Sequence, residues 1–259
     1  ENIPMQDLAA LILMGQTILH RELLFKLRDQ ALEAHIPVIT VDYEMEGCFN
    51  ICLDYLSCFK RLVRHVIEGH HRHNPYFMAG FKGNSFSEER LDAFIEVLQE
   101  NGMPVKQEHI GYGDFWNVPA RRICEKWLQN TEDFPDAIIC ANDNMALSVC
   151  DVLCERGIRV PEDIIVTGYD GEEEGKYYQP ALTTVEVDFK DMAYQAVNLI
   201  DKHQQDLQNE MIYAKTKCYP KESCGCKKMD VNFTKRAMHY SSNIRLSNME
   251  MQFSFMSID

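Results

Sequence analysis

Asn142, Asp143 and Asp170 are the residues whose types and spacing most readily support chemistry in this sequence. Each stands where a short apolar run stops. Ala137–Cys140 follows Pro135 and leads into Asn142-Asp143, and residues 164–167 lead into Gly168-Tyr169-Asp170. Short apolar runs bounded by chain breakers read as buried strands. Between them Met145, Val149, Val152 and Leu153 fall at i, i+4, i+7 and i+8, one face of a helix, and Gly157 is placed to end it in a left-handed cap. A strand–helix–strand unit of this kind makes its two strands parallel, joined by a right-handed crossover. The carboxyl ends of such strands are where open α/β sheets bind ligands. An amide and a carboxylate are therefore expected side by side at a pocket, with chemistry suited to holding hydroxyls or amides. Asn142 is expected as a ligand contact or a cap, and Asp143 chiefly as the helix N-cap.

The elements that must position these residues repeat the same alternation. Residues 8–14 read as a buried strand. A helix over 19–34 carries Leu23, Leu27, Ala31 and Ala34 on one face, and residues 37–41 form a strand with Asp42 at its carboxyl end. Further strands are expected at 49–54, 76–79, 182–188 and 216–219. Further helices are expected at 55–68, from 85 through 101 with Gly102 as its stop, at 120–130 with Ile123 and Trp127 on one face, and at 190–206. Alternating strands and helices make parallel sheets in an α/β fold.

At 259 residues the chain can bury a large core. Its 46% hydrophobic and 25% charged residues are ordinary globular values, and no apolar run is long enough to span a bilayer. A formal net charge of −14 argues against a nucleic-acid partner, because phosphate contacts need clustered Lys and Arg. Ten cysteines scattered through helices and strands read as reduced thiols, which implies a cytoplasmic protein.

CANDNMAL, then RGIRVPEDIIVTGYDG, then LTTV strongly resembles the effector-binding core of LacI/GalR regulators, over about residues 8–226. The resemblance implies a type I periplasmic-binding-protein fold: two Rossmann-like lobes with parallel sheets, joined by three crossings. It implies an N-terminal lobe of residues 1–53 plus 189–215 and a C-terminal lobe of 54–188 plus 216–226. Two strands and a helix of the family pattern would precede Leu8, so the first lobe is expected to be incomplete. The resemblance further implies ligand contacts from Arg90 in SEERLDAF, Phe115 in GDFW, Asn142, Asp170 in GYDG, and Asp42. Arg90 offers a rigid donor fork, Asp170 an acceptor for paired hydroxyls, and Phe115 a stacking face. Where many members carry a Gln at the second crossing, this chain has Val187.

Residues 227–259, after Ser223-Cys-Gly-Cys226, are polar and Met-rich and read as a helical connector or tail. In some bacterial diguanylate cyclases a LacI-like sensor is similarly closed by SCGC. The expectation is therefore a small-molecule, sugar-like sensor that closes on its ligand and regulates an attached output domain such as a GGDEF cyclase, acting as a homodimer. The alternative is the effector core of a LacI-type repressor without its DNA-binding domain. The chain itself shows no nucleophile–base pair, Walker pattern or GGDEF motif, so neither enzymatic activity nor a cofactor is expected of it. His65, His70, His71 and His73 cluster near a helix end, but His70, His71 and His73 are too close in sequence to share one helix face, and Cys224-Gly-Cys226 reads as a reduced surface turn, so no metal site is expected there.

Overall fold

A computed structural model describes residues 3–14, 20–202, 211–214 and 216–226. Within residues 1–226 the strands gather into two parallel four-stranded sheets and one antiparallel pair. The first sheet has the order β1-β2-β3-β9, from β1 (Leu11–Met14), β2 (Val38–Val41), β3 (Phe49–Leu53) and β9 (Met211–Ala214). The second has the order β5-β4-β6-β7, from β4 (Pro75–Ala79), β5 (Ile110–Tyr112), β6 (Ala137–Cys140) and β7 (Ile165–Thr167). β8 (Thr184–Val187) pairs antiparallel with β10 (Thr216–Tyr219). The chain passes between the two lobes after β3, after β8 and between β9 and β10, which gives the three expected crossings.

In the first sheet Ile39 and Val41 pack with Phe49, Ile51, Ala196 and Leu199 beneath α7 (Phe189–Lys202). Val38 and Leu13 pack with Leu24 and Ala31 of α1 (Arg21–Glu33) on the other face. The period-2 alternation of β2 thus feeds two cores. Of the expected face of α1, Ala31 is buried and Leu27 and Ala34 pack against the core, but Leu23 is exposed and Leu24 is buried in its place. β1 is likewise not a buried strand. Among the described residues it pairs only with β2, and Ile12 and Met14 are exposed while Leu13 is buried. Asn50 fixes the turn beyond β2: its Oδ1 accepts from Thr40 Oγ1 at 2.7 Å and from the Met45 amide at 2.8 Å. Its Nδ2 donates to the Cys48 carbonyl at 3.1 Å.

The second lobe has one continuous core. Phe77 of β4 stacks on Phe94 of α3 (Ser85–Glu100), with centroids 5.1 Å apart, and meets Phe59 of α2 (Tyr55–Arg64) edge-on. Asn84 caps α3 by accepting from the Ser87 amide, and Asp54 caps α2 by accepting from the Ser57 amide. Trp127 of α4 (Asn117–Trp127) closes the β5 edge. In this lobe and at the end of the first sheet, α2 and β9 also differ from the sequence expectation. α2 does not run on to residue 68 as a regular helix but passes into a π-helical turn, His65–Gly69. β9 was not expected and completes the first sheet by pairing in parallel with β3. The part of the 190–206 helix beyond Lys202, and the 227–259 connector, lie outside the described residues.

Phe77 joins both helices to the sheet at zero exposure. Phe77→Ala should lower the unfolding free energy by about 3–5 kcal/mol in urea titrations. Tyr177→Ala, at an exposed position, should change it by less than about 0.5 kcal/mol.

Candidate functional site

The carboxyl ends of β6 and β7 meet β8 through one buried side chain. Asn142, not Asp143, is the N-cap of α5 (Asp143–Glu155): its Oδ1 accepts from the Met145 amide at 3.0 Å. Its Nδ2 donates to the Phe115 carbonyl at 3.2 Å, so the amide also holds the aromatic loop. Asp143 is the first residue of the helix and is fully buried. Its Oδ1 accepts from Thr184 Oγ1 at 2.6 Å and its Oδ2 from the Glu172 amide at 2.7 Å. Its own amide donates to the Tyr169 carbonyl at 2.7 Å. The expectation that Asp143 is the cap is thus overturned; β8, distant in sequence, takes the Asp143 carboxylate instead.

Asp170 follows with φ 109° and donates its amide to the Val185 carbonyl at 2.9 Å, so the end of β7 lies along β8. Arg90 reaches it from α3. The guanidinium is buried, donates from Nη1 to the Ala141 carbonyl at 2.6 Å and lies 4.1 Å above the centre of the Tyr169 ring. Its Nη2 stands 3.9 Å from Asp170 Oδ1, an ion-pair distance too long for a direct hydrogen bond. Arg90 is therefore not a surface arginine.

Phe115 has φ 58° and lays its ring over Gly80, where any side chain would collide with it. Phe81 meets the ring edge-on at 5.9 Å. Arg90, Phe115 and Asp170 then line one hollow of about 260 Å³ with Phe86, Val187 and Phe189. Val187 and Phe189 flank the second crossing. Trp116, an alternative stacking residue, is exposed and does not line it. Asn142 and Asp42 do not line it either. Asn142 is turned to the cap, and Asp42, at φ 56° beyond β2, donates its amide to the Ile51 carbonyl in the first lobe. A larger hollow of about 400 Å³ lies along α4 and α5, but it collects none of these strand-end residues.

The electrostatics suit binding. Desolvation raises the Asp170 carboxyl to about 6, against the opposing pull of Arg90. Desolvation raises Asp143 to about 7, with the Thr184 and Glu172 hydrogen bonds acting the other way. The six lining residues provide one cationic fork, one carboxylate and three phenyl rings, and no Ser, Cys, His or Lys that could act as nucleophile or partner base. Phe86 and Phe189 were not expected; single phenylalanines at a helix start and after a strand carry no periodic signal.

A second cluster lies away from this hollow. The π turn sets His70 beside His65, and both meet Cys224 and Cys226. This corrects one expectation, since Cys224 is buried instead of lying on a surface turn; the histidine that joins His70 is His65, brought near by the extra residue of the π turn. All ten cysteines are free thiols.

Asp143→Asn isolates one titration. The folded carboxyl is raised from 3.8 to about 7, so the folded state holds a proton that the unfolded chain has released. The stability this supplies is complete below about pH 4 and lost as pH rises through about 7. Urea titrations should therefore show wild type falling relative to D143N across that window.

Comparison with known proteins agrees with this architecture. The family model of the periplasmic binding protein-like domain matches residues 63–224. The HTH-type transcriptional repressor PurR of Actinobacillus pleuropneumoniae serotype 3 is 32% identical over 138 residues, 53% of this chain and 40% of the relative. The probable HTH-type transcriptional repressor ExuR of Bacillus subtilis is 25% identical over 177 residues, 68% of this chain and 51% of the relative. The chain thus spans about half the length, or less, of these curated relatives. A transcriptional regulator CelR–cellobiose complex superposes with TM-score 0.66 at 25% identity, covering 83% of this chain and 66% of that one. A transcription regulator from Lactobacillus plantarum superposes with TM-score 0.70 at 18% identity, covering 83% and 81%, a likeness of fold. The chain belongs to the periplasmic-binding-protein-like domain family, with the two-lobed α/β architecture of LacI-type regulators.

Proposed function

We propose that this chain is the effector-binding core of a LacI-type transcriptional regulator, taking a small sugar-like ligand between its lobes. The observation that carries this reading is the 260 Å³ hollow, in which Arg90, Asp170 and Phe115 meet two residues flanking a crossing. Arg90 and Asp170 present donors and acceptors to hydroxyls or a carboxylate. Phe86, Phe115 and Phe189 cover an apolar ring face. The ligand closes the lobes only to the extent that it binds the closed form better, and Val187 and Phe189 couple occupancy to that motion.

The regulators among the relatives favour this reading over a sensor attached to a diguanylate cyclase, for which only the Ser223–Cys226 sequence speaks. The cellobiose held by the structurally similar regulator supports a sugar-like ligand here. The loss of a polar side chain at Val187 leaves hydrogen bonding to Arg90 and Asp170. It therefore favours a ligand with one polar edge and a broad apolar face. Free thiols throughout support a cytoplasmic setting, and no described helix is long and apolar enough to cross a membrane. A homodimer is part of the reading.

A thermal-shift screen of sugars, glycosides and nucleosides should find a class that raises Tm, because a ligand of the native state stabilises it. For that ligand, Asp170→Ala should cost about 1.5–3 kcal/mol in affinity by calorimetry, the loss of a charged hydrogen bond. Affinity in wild type should fall as pH drops through about 6, where Asp170 takes up its proton, and D170N should lose that dependence. A ligand whose affinity ignores both Asp170 and Phe115 would refute this placement of the site.

A further inference from the structure

The cluster of His65, His70, Cys224 and Cys226 lies apart from the ligand hollow and has the composition and geometry of a closed metal centre. One ligating atom from each residue falls within 4.8 Å of all the others. His65 Nε2 and His70 Nε2 are 3.1 Å apart. Cys224 Sγ stands 3.4 Å from His65 Nε2, and Cys226 Sγ is 3.5 Å from both nitrogens. Zinc binds imidazole nitrogen and thiolate sulfur at about 2.0–2.3 Å, so a tetrahedron of two of each has edges of about 3.3–3.8 Å. These four separations lie on or just below that range. The two imidazole rings stand at 89° to each other with centroids 4.6 Å apart. The rings are therefore not stacked face to face.

The backbone around the cluster is specialised to make this meeting. The π turn brings His65 and His70 together at i, i+5, closed by the His70 amide on the His65 carbonyl at 3.2 Å. Such single π turns inside helices concentrate at functional sites. On the other side the short 3₁₀ turn Glu222–Cys224 is followed by Gly225 at φ 90°, a left-handed conformation that favours glycine. The Cys226 amide then returns to the Lys221 carbonyl at 3.1 Å. A hydrogen-bonded network has no need to bring four groups to one point, because donors and acceptors pair two at a time. A shared centre is what a cation requires.

We propose that His65, His70, Cys224 and Cys226 form a structural zinc site that pins the segment after β10 to the end of α2. Soft thiolates with imidazoles select zinc over hard, oxygen-seeking cations. Four protein ligands leave no open position, so the ion is structural, not catalytic. Cys224 as a thiol donates to the Lys221 carbonyl at 3.2 Å. On binding, both thiols give up their protons to solvent and both sulfurs become thiolate ligands, two protons released per ion. The site joins residues that are more than 150 positions apart in sequence. It therefore holds the returning third crossing against the second lobe.

The test uses the untagged chain, residues 1–259, stripped with a chelator under reducing conditions. Zinc titrated back against a chromophoric competitor should bind at one ion per chain and raise Tm. Cobalt(II) in its place should give the intense ligand-field bands and thiolate charge-transfer absorption of a four-coordinate site, a readout that needs no variant. Cys226→Ser and His70→Ala should weaken zinc by at least about tenfold, a loss that even outer-shell substitutions produce. Cys154→Ser, an exposed thiol elsewhere, should leave zinc affinity unchanged. The proposal is overturned if the stripped chain takes up no zinc, if cobalt gives the weak bands of six-coordination, or if C226S binds zinc as wild type does. None of these results bears on the ligand hollow, whose residues are separate.

Discussion

The buried carboxylate of Asp143 sets the terms for the second lobe. A carboxyl group at the heart of a protein is costly unless its oxygens are satisfied, and here each oxygen is met by a different part of the chain. Thr184 comes from β8, the Glu172 amide from the loop beyond β7, and the first turn of α5 supplies the favourable end of a helix. Gly168 completes the arrangement, because a side chain at that position would strike the Asp143 carboxylate. Satisfying one group therefore joins β6, β7 and β8 at their functional ends. The position of Asp170 against Val185, and of Val187 beside the hollow, follows from that junction.

Arg90 depends on the same corner from the other side. Its guanidinium is bonded to the Ala141 carbonyl just before the α5 cap and lies on the ring of Tyr169. Two faces of one cation are thus fixed by the backbone end of β6 and by the residue preceding Asp170. This pre-orders the donor fork, so less side-chain freedom is lost when a partner arrives. Phe115 is held with comparable economy, by the Asn142 amide on its carbonyl and by the bare surface of Gly80.

What the sequence made legible was the local physics. Apolar runs ending in Asn142-Asp143 and Asp170 marked strand ends, and Gly157 and Gly102 marked helix stops in left-handed conformations. Three of the five residues taken from the family resemblance meet in one hollow, while Asn142 turns to the cap and Asp42 stays in the first lobe. The misses have a common cause in tertiary contact. Met211–Ala214 is a strand only because β3 offers it a parallel edge. Leu24 is buried in place of Leu23 because the sheet fixes the rotation of α1. His65 and His70 meet because the helix takes up an extra residue in its last turn, which no periodicity of 3.6 could reveal.

On the proposed reading, the hollow has a wall that belongs to a moving part. Val187 and Phe189 stand on either side of Asp188, the residue through which the chain leaves one lobe for the other, and the Asp188 side chain anchors the first turn of α7 through the Asp191 amide. Taste and spring are thereby written into the same three residues. A larger side chain at 187 that excludes one occupant also stiffens or frees the strap on which the lobes swing. If the hollow takes the proposed ligand, descendants of this chain that change what they recognise will change how strongly they respond in the same step, and a mutation selected for one property arrives carrying the other.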